Sequence, residues 1–264
     1  GNGTSMLIMI GIVSRFPKAI VQEGASRGSG GLLIFVAEIV ALFVVVMFAV
    51  ALTQAVRRVP IQYAKQVVGN KVMGGQRQYL PLKLNTSGVM PIIFAQALMF
   101  IPSLVAGLFA EKSDVASSIA TTFNDYTTWQ YNVLFATLII VFTFFYTAIA
   151  ISPQQISDDM KRGGGFIPGV KPGIATSDFI ATVLDRITLP GGILLAVVAI
   201  LPSLASMSGM TREFSQFFGG TSLLILVGVV LDTLQQVESY LLMKHYEGLM
   251  KSGRVKGRTE TVAA

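Results

Sequence analysis

The chain has 264 residues, of which 52% are hydrophobic and 13% are charged, and its formal net charge is +6. A soluble domain averages roughly 25% charged residues, so this composition excludes an ordinary soluble domain and predicts a membrane protein. The chain has no cysteine, which excludes disulfide bonds, thiolate metal ligands and cysteine nucleophiles.

Long apolar segments predict that the chain crosses a membrane several times. A helix needs roughly 20 residues to cross a hydrocarbon core about 30 Å thick, because each residue adds about 1.5 Å. Five segments reach that length: Leu32–Val56, Gly88–Ala110, Tyr131–Ile151, Ile187–Met207 and Thr221–Met243. A sixth, Thr4–Val13, is shorter and lies close to the first residue, so we expect a span cut near its start, in a fragment or a cleaved product.

The predicted spans divide the chain into six segments. These are the first two spans with their outer connection (1–56), a basic loop (57–87), the third and fourth spans (88–151), a second loop (152–186), the last two spans (187–243) and a basic tail (244–264). The two loops and the tail hold 15 of the 20 Lys and Arg residues. Because basic residues are retained on the cytoplasmic side, both loops and the C-terminal tail are predicted to be cytoplasmic.

The first loop has the pattern of a β-hairpin. Its residues Arg57–Lys83 include six basic side chains and no acidic one. VPIQYAKQVV and QYLPLKL alternate apolar and polar residues at strand period, and GNKVMGG between them is typical of a turn. So concentrated a positive charge favours an anionic partner, such as ribosomal RNA or an acidic protein face, although charge retention alone would also explain it.

Two acids lie inside the predicted spans, Glu38 and Asp232. A secondary transporter places ionisable groups near the membrane midplane, and the prolines and glycines inside these spans would suit a transporter as well as a channel. Neither acid has an obvious Lys or Arg partner within a span, so we interpret both as structural acids rather than ion-coupling sites. The sequence therefore favours a pore over a secondary solute transporter or a purely structural membrane subunit.

No group of residues in the sequence predicts an enzyme. His245 is the only histidine and stands in the basic tail, where it gathers no metal site with the dispersed acids. Asp158 and Asp159 are adjacent, so on a helix they point about 100° apart and do not form a general acid–base pair. We expect neither a catalytic site nor a metal or other cofactor.

Several longer motifs follow one another along the chain: GNGTSMLIMIGIVSRFP, RRVPIQYAK, LPLKLNTSGVMPIIFA, GGGFIPGVKPG and GGTSLLILVGVVLDTLQQVESYLLMKHYEGLMK. Together they resemble the SecY protein-translocation channel family. The resemblance implies an all-α, polytopic helical membrane protein with about six transmembrane helices, which is the C-terminal half of a pseudo-symmetric channel, family helices five to ten. It also implies the pore-forming subunit of a translocase in a bacterial cytoplasmic membrane, which conducts unfolded secretory proteins and releases membrane segments through a lateral gate.

The resemblance implies residues of the pore and of its gate. The pore ring consists of isoleucines whose apolar constriction excludes water and ions, here Ile8, Ile12, Ile93 and Ile225. Ordinary packing or lipid contact is the alternative for all four. The lateral gate includes the start of the third span, with Asn85, Thr86, Ser87 and Pro91. The three polar residues could instead cap a helix, and Pro91 is expected to remove a backbone donor and bend the helix.

The resemblance further implies that both cytoplasmic loops bind the ribosome or the ATP-driven SecA motor, which supplies the energy. The implied docking residues are Arg57, Arg58, Lys65, Lys71, Arg77, Lys161, Arg162 and Lys171. Lys171 stands where many family members carry Arg, and lysine lacks the planar fork that makes two parallel contacts with phosphate or carboxylate. Other implied partners are the N-terminal half of the channel, small SecE-like and SecG-like membrane subunits, the unfolded polypeptide with its signal sequence, and the lipid bilayer.

Overall fold

The computed structural model describes residues 3–28, 30–63, 66–68, 71–73, 77–109 and 121–251. In chain order its helices are α1 (Gly3–Arg27), α2 (Leu32–Gln54), α3 (Met90–Phe109), α4 (residues 121–124), α5 (Trp129–Ala150), α6 (Pro153–Arg162), α7 (Ile174–Met207), α8 (Arg212–Ser215) and α9 (Gly220–Lys251). The strands are β1 (Val56–Tyr63), β2 (Gln66–Val68), β3 (Lys71–Met73), β4 (Arg77–Lys83) and β5 (Gly165–Phe166). A 3₁₀ turn, Gln216–Phe218, connects α8 to α9.

Four of the described helices, α2, α5, α7 and α9, are long and apolar enough to cross a membrane. Large apolar side chains cover their outer surfaces, such as Leu33 of α2, which has 84% of its surface exposed. The prediction of a helical, polytopic membrane protein is confirmed. Helix α3 contains a shorter apolar segment, Met90–Pro102, and α1 carries four charged residues, so the membrane crossing of these two helices stays a prediction.

The spanning helices pack around an apolar core. Small residues lie within it, and Ala49 of α2 and Ala95 of α3 are fully buried. Ile139 of α5, Leu195 of α7 and Leu224 of α9 complete the contacts between helices. Because lipid is as apolar as these side chains, close packing rather than the hydrophobic effect holds such helices together, and small residues let their backbones approach.

Helix α1 is longer than the sequence predicted. The expected span ended at Val13, whereas the helix continues to Arg27. The apolar pattern is interrupted at Arg15 and Lys18, but a helical backbone satisfies its own hydrogen bonds whatever its side chains are. The added turns contain a buried acid, Glu23, one of whose partners lies 188 residues further along the chain.

Helix α7 begins at Ile174, well before the predicted span start at Ile187, so the predicted boundary after the second loop lies inside a helix. Thr176, Ile180 and Leu184 recur every four residues and are buried. This spacing is the buried stripe of an amphipathic helix, and the polar residues between its members keep the segment less apolar than a span. At about 1.5 Å per residue, α7 is longer than a hydrocarbon core about 30 Å thick.

The predicted hairpin is present, with one difference near its tip. β1 and β4 pair in antiparallel register, from Val56 opposite Lys83 to Gln62 opposite Arg77. Lys71–Met73, which we expected in the turn, instead form β3 and pair with β2. Val67 and Val72 stand opposite each other there, and β-branched residues favour strands. The other predicted turn residues, 69–70 and 74–75, lie outside the described residues.

Strand β5 joins the second loop to the hairpin. It pairs with β1 and gives a three-stranded sheet of order β4-β1-β5, which we call the basic sheet. Val59 and Ile61 of β1 pack with Met160 of α6 and Ile180 of α7 in a second apolar cluster. The two loops, which the sequence analysis treated separately, therefore form one packed body.

The shorter connections meet at the other end of the helices. The hydroxyl of Tyr126, before α5, lies 2.9 Å from the hydroxyl of Ser206, at the end of α7. The guanidinium of Arg212 in α8 lies 5.1 Å from the centre of the Tyr126 ring, and α8 also contacts α1. Thirty residues of α7 separate Thr176, beside the basic sheet, from Ser206, which is roughly 45 Å of helix. The basic loops and the shorter connections therefore lie at opposite ends of α7. This is the arrangement expected if charge keeps the basic loops on one side of the membrane.

Candidate functional site

Basic side chains project from the body that contains the basic sheet. Arg57 and Arg58 are exposed on β1, Lys161 and Arg162 are exposed at the end of α6, and Lys171 is exposed in the loop after β5. In the described part of the chain the ion pairs all involve Arg27, so none of these five side chains is paired with a described carboxylate. The structure thus brings predicted docking residues from both loops onto one body.

The remaining predicted docking residues are only partly described. Lys71 and Arg77 lie in β3 and β4, but the described part of the structure does not include their side chains. Lys65 lies outside the described residues. Helix α6 adds no net positive charge, because Asp158 and Asp159 are exposed on it together with its two basic residues.

A polar segment links β4 to α3, where the sequence predicted a gate or a helix cap. Thr86 donates its hydroxyl hydrogen to the Lys83 carbonyl oxygen, 2.8 Å away. Asn85 Oδ1 and Ser87 Oγ are buried without a hydrogen-bond partner among the described residues. Helix α3 begins only at Met90, after a left-handed turn at Gly88, so the capping interpretation of these residues is wrong.

Pro91 is the second residue of α3 and is fully buried. The first backbone N–H groups of a helix have no intrahelical partner, so a proline there neither removes a hydrogen bond nor bends the helix. The bend that we expected at Pro91 is therefore wrong. Pro102 is the proline in the interior of α3.

The same polar segment lies close to α7 because of a glycine. A Cβ atom at Gly191 would lie 2.6 Å from the Leu84 carbonyl oxygen, which is closer than such atoms approach. The Leu84 N–H donates to the Ala55 carbonyl oxygen at 2.8 Å, so the segment is also tied to the end of α2. The absence of a side chain at Gly191 therefore permits this close approach of Leu84, which precedes the predicted gate residues.

Replacing Gly191 with alanine is expected to displace Leu84 and to cost about 1–3 kcal/mol of stability, as overpacking does. Gly228→Ala in α9 is the matched control, because a Cβ there meets nothing within 4 Å. Alanine is the better helix former, so we expect the control to be neutral or more stable by about 0.5–1 kcal/mol. Thermal unfolding of the two variants measures the difference, and equal unfolding temperatures would contradict the close approach.

Two of the four predicted pore-ring residues line one cavity. Ile8 and Ile12 stand one helical turn apart on α1 and face a cavity of about 650 Å³. Arg15 and Lys18 continue the same lining towards the end of α1, and Ser222 of α9 lies on another wall. The lining of this cavity therefore changes along α1 from apolar to basic.

Ile93 and Ile225 are not among the described residues that line this cavity. Ile93 of α3 is 42% exposed, whereas its neighbour Ile92 is buried in the apolar core between the helices. Ile225 of α9 is half-buried beside the buried Leu224. The described structure does not bring the four isoleucines to one cavity, so the pore ring stays a prediction.

A charged cluster that the sequence analysis missed joins α1, α2 and the connection between α7 and α8. Glu23 is fully buried, and its Oε1 accepts a hydrogen bond from Arg27 Nε at 3.1 Å. Its Oε2 accepts from the Thr211 backbone N–H at 2.8 Å and from the Thr211 hydroxyl. The Arg27 guanidinium also donates to Glu38 Oε1 and, at 3.0 Å, to the Gly209 carbonyl oxygen. We call Glu23, Arg27, Glu38 and Thr211 the outer cluster.

No Lys or Arg partner within a span was expected for Glu38, and its partner comes instead from Arg27, which the sequence placed in a connection. The short connection after α1 turns the chain back, so Arg27 reaches Glu38 eleven residues along the sequence. Glu23 and Arg27 have the i, i+4 spacing of a helical ion pair. That spacing would have indicated half of the cluster, had these residues been assigned to a helix rather than to a connection.

Polar residues before α5 and in its first turn form further hydrogen bonds. Thr127 donates to the Asp125 carboxylate through its hydroxyl at 2.6 Å and its backbone N–H at 3.0 Å, and these bonds hold the pKa of Asp125 below its ordinary value. Asn132 donates to the Ser203 hydroxyl at 2.8 Å, beside a cavity of about 450 Å³. No group of potential metal ligands occurs among the described residues.

The chain is similar to known sequences over almost its whole length. The SecY family model matches residues 1–234. The chain is 42% identical over 258 residues to the protein translocase subunit SecY of Mycobacterium bovis, which covers 95% of the chain and 58% of that protein. It is 38% identical over 266 residues to the protein translocase subunit SecY of Chlamydia muridarum, covering 98% of the chain and 58% of that protein. The chain thus spans somewhat more than half the length of these relatives.

Two solved structures have a similar fold. One, described as "The structure of a protein conducting channel", has a TM-score of 0.51 and 15% identity, and the match covers 90% of the chain and 56% of that structure's chain. The other, described as "The plug domain of the SecY protein stablizes the closed state of the translocation channel and maintains a membrane seal", has a TM-score of 0.56 and 13% identity, covering 89% and 58%. At these identities the likeness concerns the fold alone.

Proposed function

Because the chain belongs to the SecY family, we propose that it is the C-terminal half of a channel that conducts unfolded polypeptides across a bacterial cytoplasmic membrane and releases membrane segments through a lateral gate. The observation that carries this proposal is the 42% identity to a protein translocase subunit along 95% of the chain. The helices long and apolar enough to span a membrane support it, since a conducting pathway needs a multi-pass scaffold.

The pore is proposed to run along the faces that carry Ile8, Ile12, Ile93 and Ile225. An apolar constriction excludes water, and hence ions, while a flexible polypeptide passes between its side chains. The cavity beside Ile8 and Ile12 supports this path, because it places apolar and then polar groups along one face of α1. The exposure of Ile93, next to the buried Ile92, supports a position on the surface of the bundle. The N-terminal half of the channel is proposed to supply the opposite wall.

The lateral gate is proposed to include Asn85, Thr86, Ser87 and Pro91. Buried polar atoms without partners cost about 1–3 kcal/mol each, so Asn85 Oδ1 and Ser87 Oγ favour rearrangement of this segment when a partner approaches. Pro91 anchors the start of α3 in the core, which leaves the preceding residues as the element that moves. A signal sequence entering between the helices is the proposed partner.

The basic sheet and its surroundings are proposed to bind the SecA motor or the ribosome on the cytoplasmic side, together with the basic tail. Arg57, Arg58 and Lys171 are exposed there, and their charge would attract an anionic partner. The partner would supply the energy for movement, because this chain is proposed to be a conduit and not an enzyme. Small SecE-like and SecG-like subunits are proposed to complete the complex within the lipid bilayer.

Secondary solute transport is the other candidate, and the outer cluster argues against it. A coupling acid must exchange its ion or proton during transport, whereas Glu38 is held by Arg27 in a cluster with Glu23. Asp232 is exposed on α9 and is the remaining intramembrane acid that the sequence singled out. Ion-coupled uptake of a small solute by the complete protein would favour the transporter.

Site-specific crosslinking tests the channel directly. This chain has no cysteine, so Ile93→Cys carries a crosslinker at one defined place in a complete channel whose other half is also made cysteine-free. We expect it to crosslink to a stalled translocating polypeptide, because Ile93 is proposed to line the path. Val141→Cys is the matched control, since Val141 is an exposed apolar residue of α5 that lipid would cover. If the stalled polypeptide is bound and position 93 does not crosslink, α3 does not line the path and solute transport must be reconsidered.

A further inference from the structure

The loop between β5 and α7, which carries Lys171 to the surface, is held in an unusually restricted backbone conformation. Pro168 and Pro172 each have a fixed φ, on either side of Lys171. Gly169 and Gly173 have φ angles of +88° and +108°, which side-chain-bearing residues rarely adopt. Ile167, at the start of the loop, is buried in the apolar cluster beneath the basic sheet. Few backbone torsions of this loop are therefore left free.

Two buried hydroxyl groups, one on α6 and one on α7, bond to the end of the loop. Ser157 of α6 donates to the Gly173 carbonyl oxygen at 2.8 Å. Thr176, in the first turn of α7, donates to the Lys171 carbonyl oxygen at 2.9 Å. Ser157 and Thr176 are 3% and 2% exposed, so water does not replace these bonds easily. The Gly173 carbonyl oxygen also accepts from the Thr176 and Ser177 amides at 3.0 and 3.2 Å. The backbone of Lys171 is thus bonded to α7, and Ser157 adds a bond from α6 to Gly173, where α7 begins.

We propose that Ser157 and Thr176 are positioning residues, which hold Lys171 at a fixed place on the basic surface so that its charge is presented to the docking partner without a loss of loop entropy. This proposal rests on the proposed docking function. Neither residue touches the partner, because both are buried. They act through the backbone of Lys171, which carries the exposed ammonium group.

The chemistry of lysine explains why its backbone needs such support. Lysine presents one point charge on a flexible stem, whereas arginine would add a planar fork of donors. A contact by lysine therefore already costs the rotamer entropy of its stem, and an ordered backbone avoids a second entropy cost. Binding through a loop that must first be ordered is weaker, since the ordering of each residue opposes association. Without the two hydroxyls we expect docking to weaken about tenfold while the charge of the surface stays the same.

The test uses the complete channel in lipid vesicles, with purified SecA as the probe. Ser157→Ala and Thr176→Val, singly and together, remove the hydroxyls without changing charge. Ser157→Thr and Thr176→Ser keep a hydroxyl and are expected to retain docking. Thr188→Val is the matched control, because Thr188 is also buried on α7 and donates to a backbone carbonyl, at Leu184, away from the loop. Two quantities are measured: binding constants over a range of salt concentrations, and hydrogen exchange of the Val170, Thr176 and Ser177 amides, which donate to the Ile167 and Gly173 carbonyl oxygens of the loop.

We expect the double variant to exchange these amides faster and to bind about tenfold more weakly, with an unchanged dependence on salt, because no charge is lost. Lys171→Gln, in contrast, should reduce both the affinity and its dependence on salt.

If the double variant binds like the wild type although its loop exchanges faster, the positioning role is wrong and docking stands. If exchange is unchanged, the hydroxyls do not order the loop and the inference also fails. If Lys171→Gln binds normally, the loop does not dock, and both the proposed docking role of Lys171 and the positioning role fail.

Discussion

Replacing Arg27 with methionine is expected to destabilise the protein by about 3–5 kcal/mol, because it leaves two buried carboxylates without a cation. Glu23 is fully buried and Glu38 is 5% exposed, so water compensates neither. The substitution keeps a long apolar stem for packing but removes the hydrogen bond to the Gly209 carbonyl oxygen, so the connection before α8 keeps its bonds to α1 through Glu23 and Thr211 but loses the one through Arg27. Thermal unfolding and limited proteolysis of the purified channel measure the loss.

Arg15→Met is the matched control for this substitution. Arg15 lies on the same helix and is exposed, so its loss should change stability by no more than about 0.5 kcal/mol. Neutralising the acids as well, with Glu23→Gln and Glu38→Gln added to Arg27→Met, should restore much of the stability, since a buried set of charges can be replaced at little cost. Equal unfolding temperatures for Arg27→Met and Arg15→Met would mean that the outer cluster contributes nothing measurable.

Reversal of Arg57, Arg58 and Lys171 to glutamate is expected to weaken docking of SecA or the ribosome about 100-fold or more at moderate salt, because like charges opposed across an interface cost several kcal/mol. The three side chains are exposed on one body and are not paired with a described carboxylate, so their charge is available to a partner. Binding of the partner to the complete channel in lipid vesicles, measured at several salt concentrations, checks the prediction.

The control reverses one charge at the opposite end of the molecule. Lys18→Glu changes an exposed residue of α1 and should leave docking unchanged. Membrane insertion must be compared too, because basic residues also retain loops on the cytoplasmic side. Single cysteines placed in the loops report it by labelling when the other half of the channel is also made cysteine-free, since this chain has none of its own. Normal docking of the triple variant, with correct insertion, would remove the basic sheet from the proposed docking surface.

Much of the architecture could be predicted from local patterns. Continuous apolar runs identified α2, α5 and the start of α9 to within two residues, because a lipid-exposed helix needs apolar side chains on every side. Alternation identified β1 and β4, because successive side chains of a strand point to opposite faces. The family resemblance rested on motifs that are also local. Predictions failed where a helix became polar, at the end of α1 and the start of α7.

The sequence by itself therefore determined the membrane class, the spans with the longest apolar runs, the hairpin and the SecY family. The tertiary structure alone decided that β5 joins the two basic loops in one sheet and that Glu38 has a cationic partner. It also decided that Ser157 and Thr176 hold the loop of Lys171. The physical reason is distance along the chain. Periodicity reports which face of one element is apolar, whereas Glu23 meets Thr211 across 188 residues only after several helices have packed.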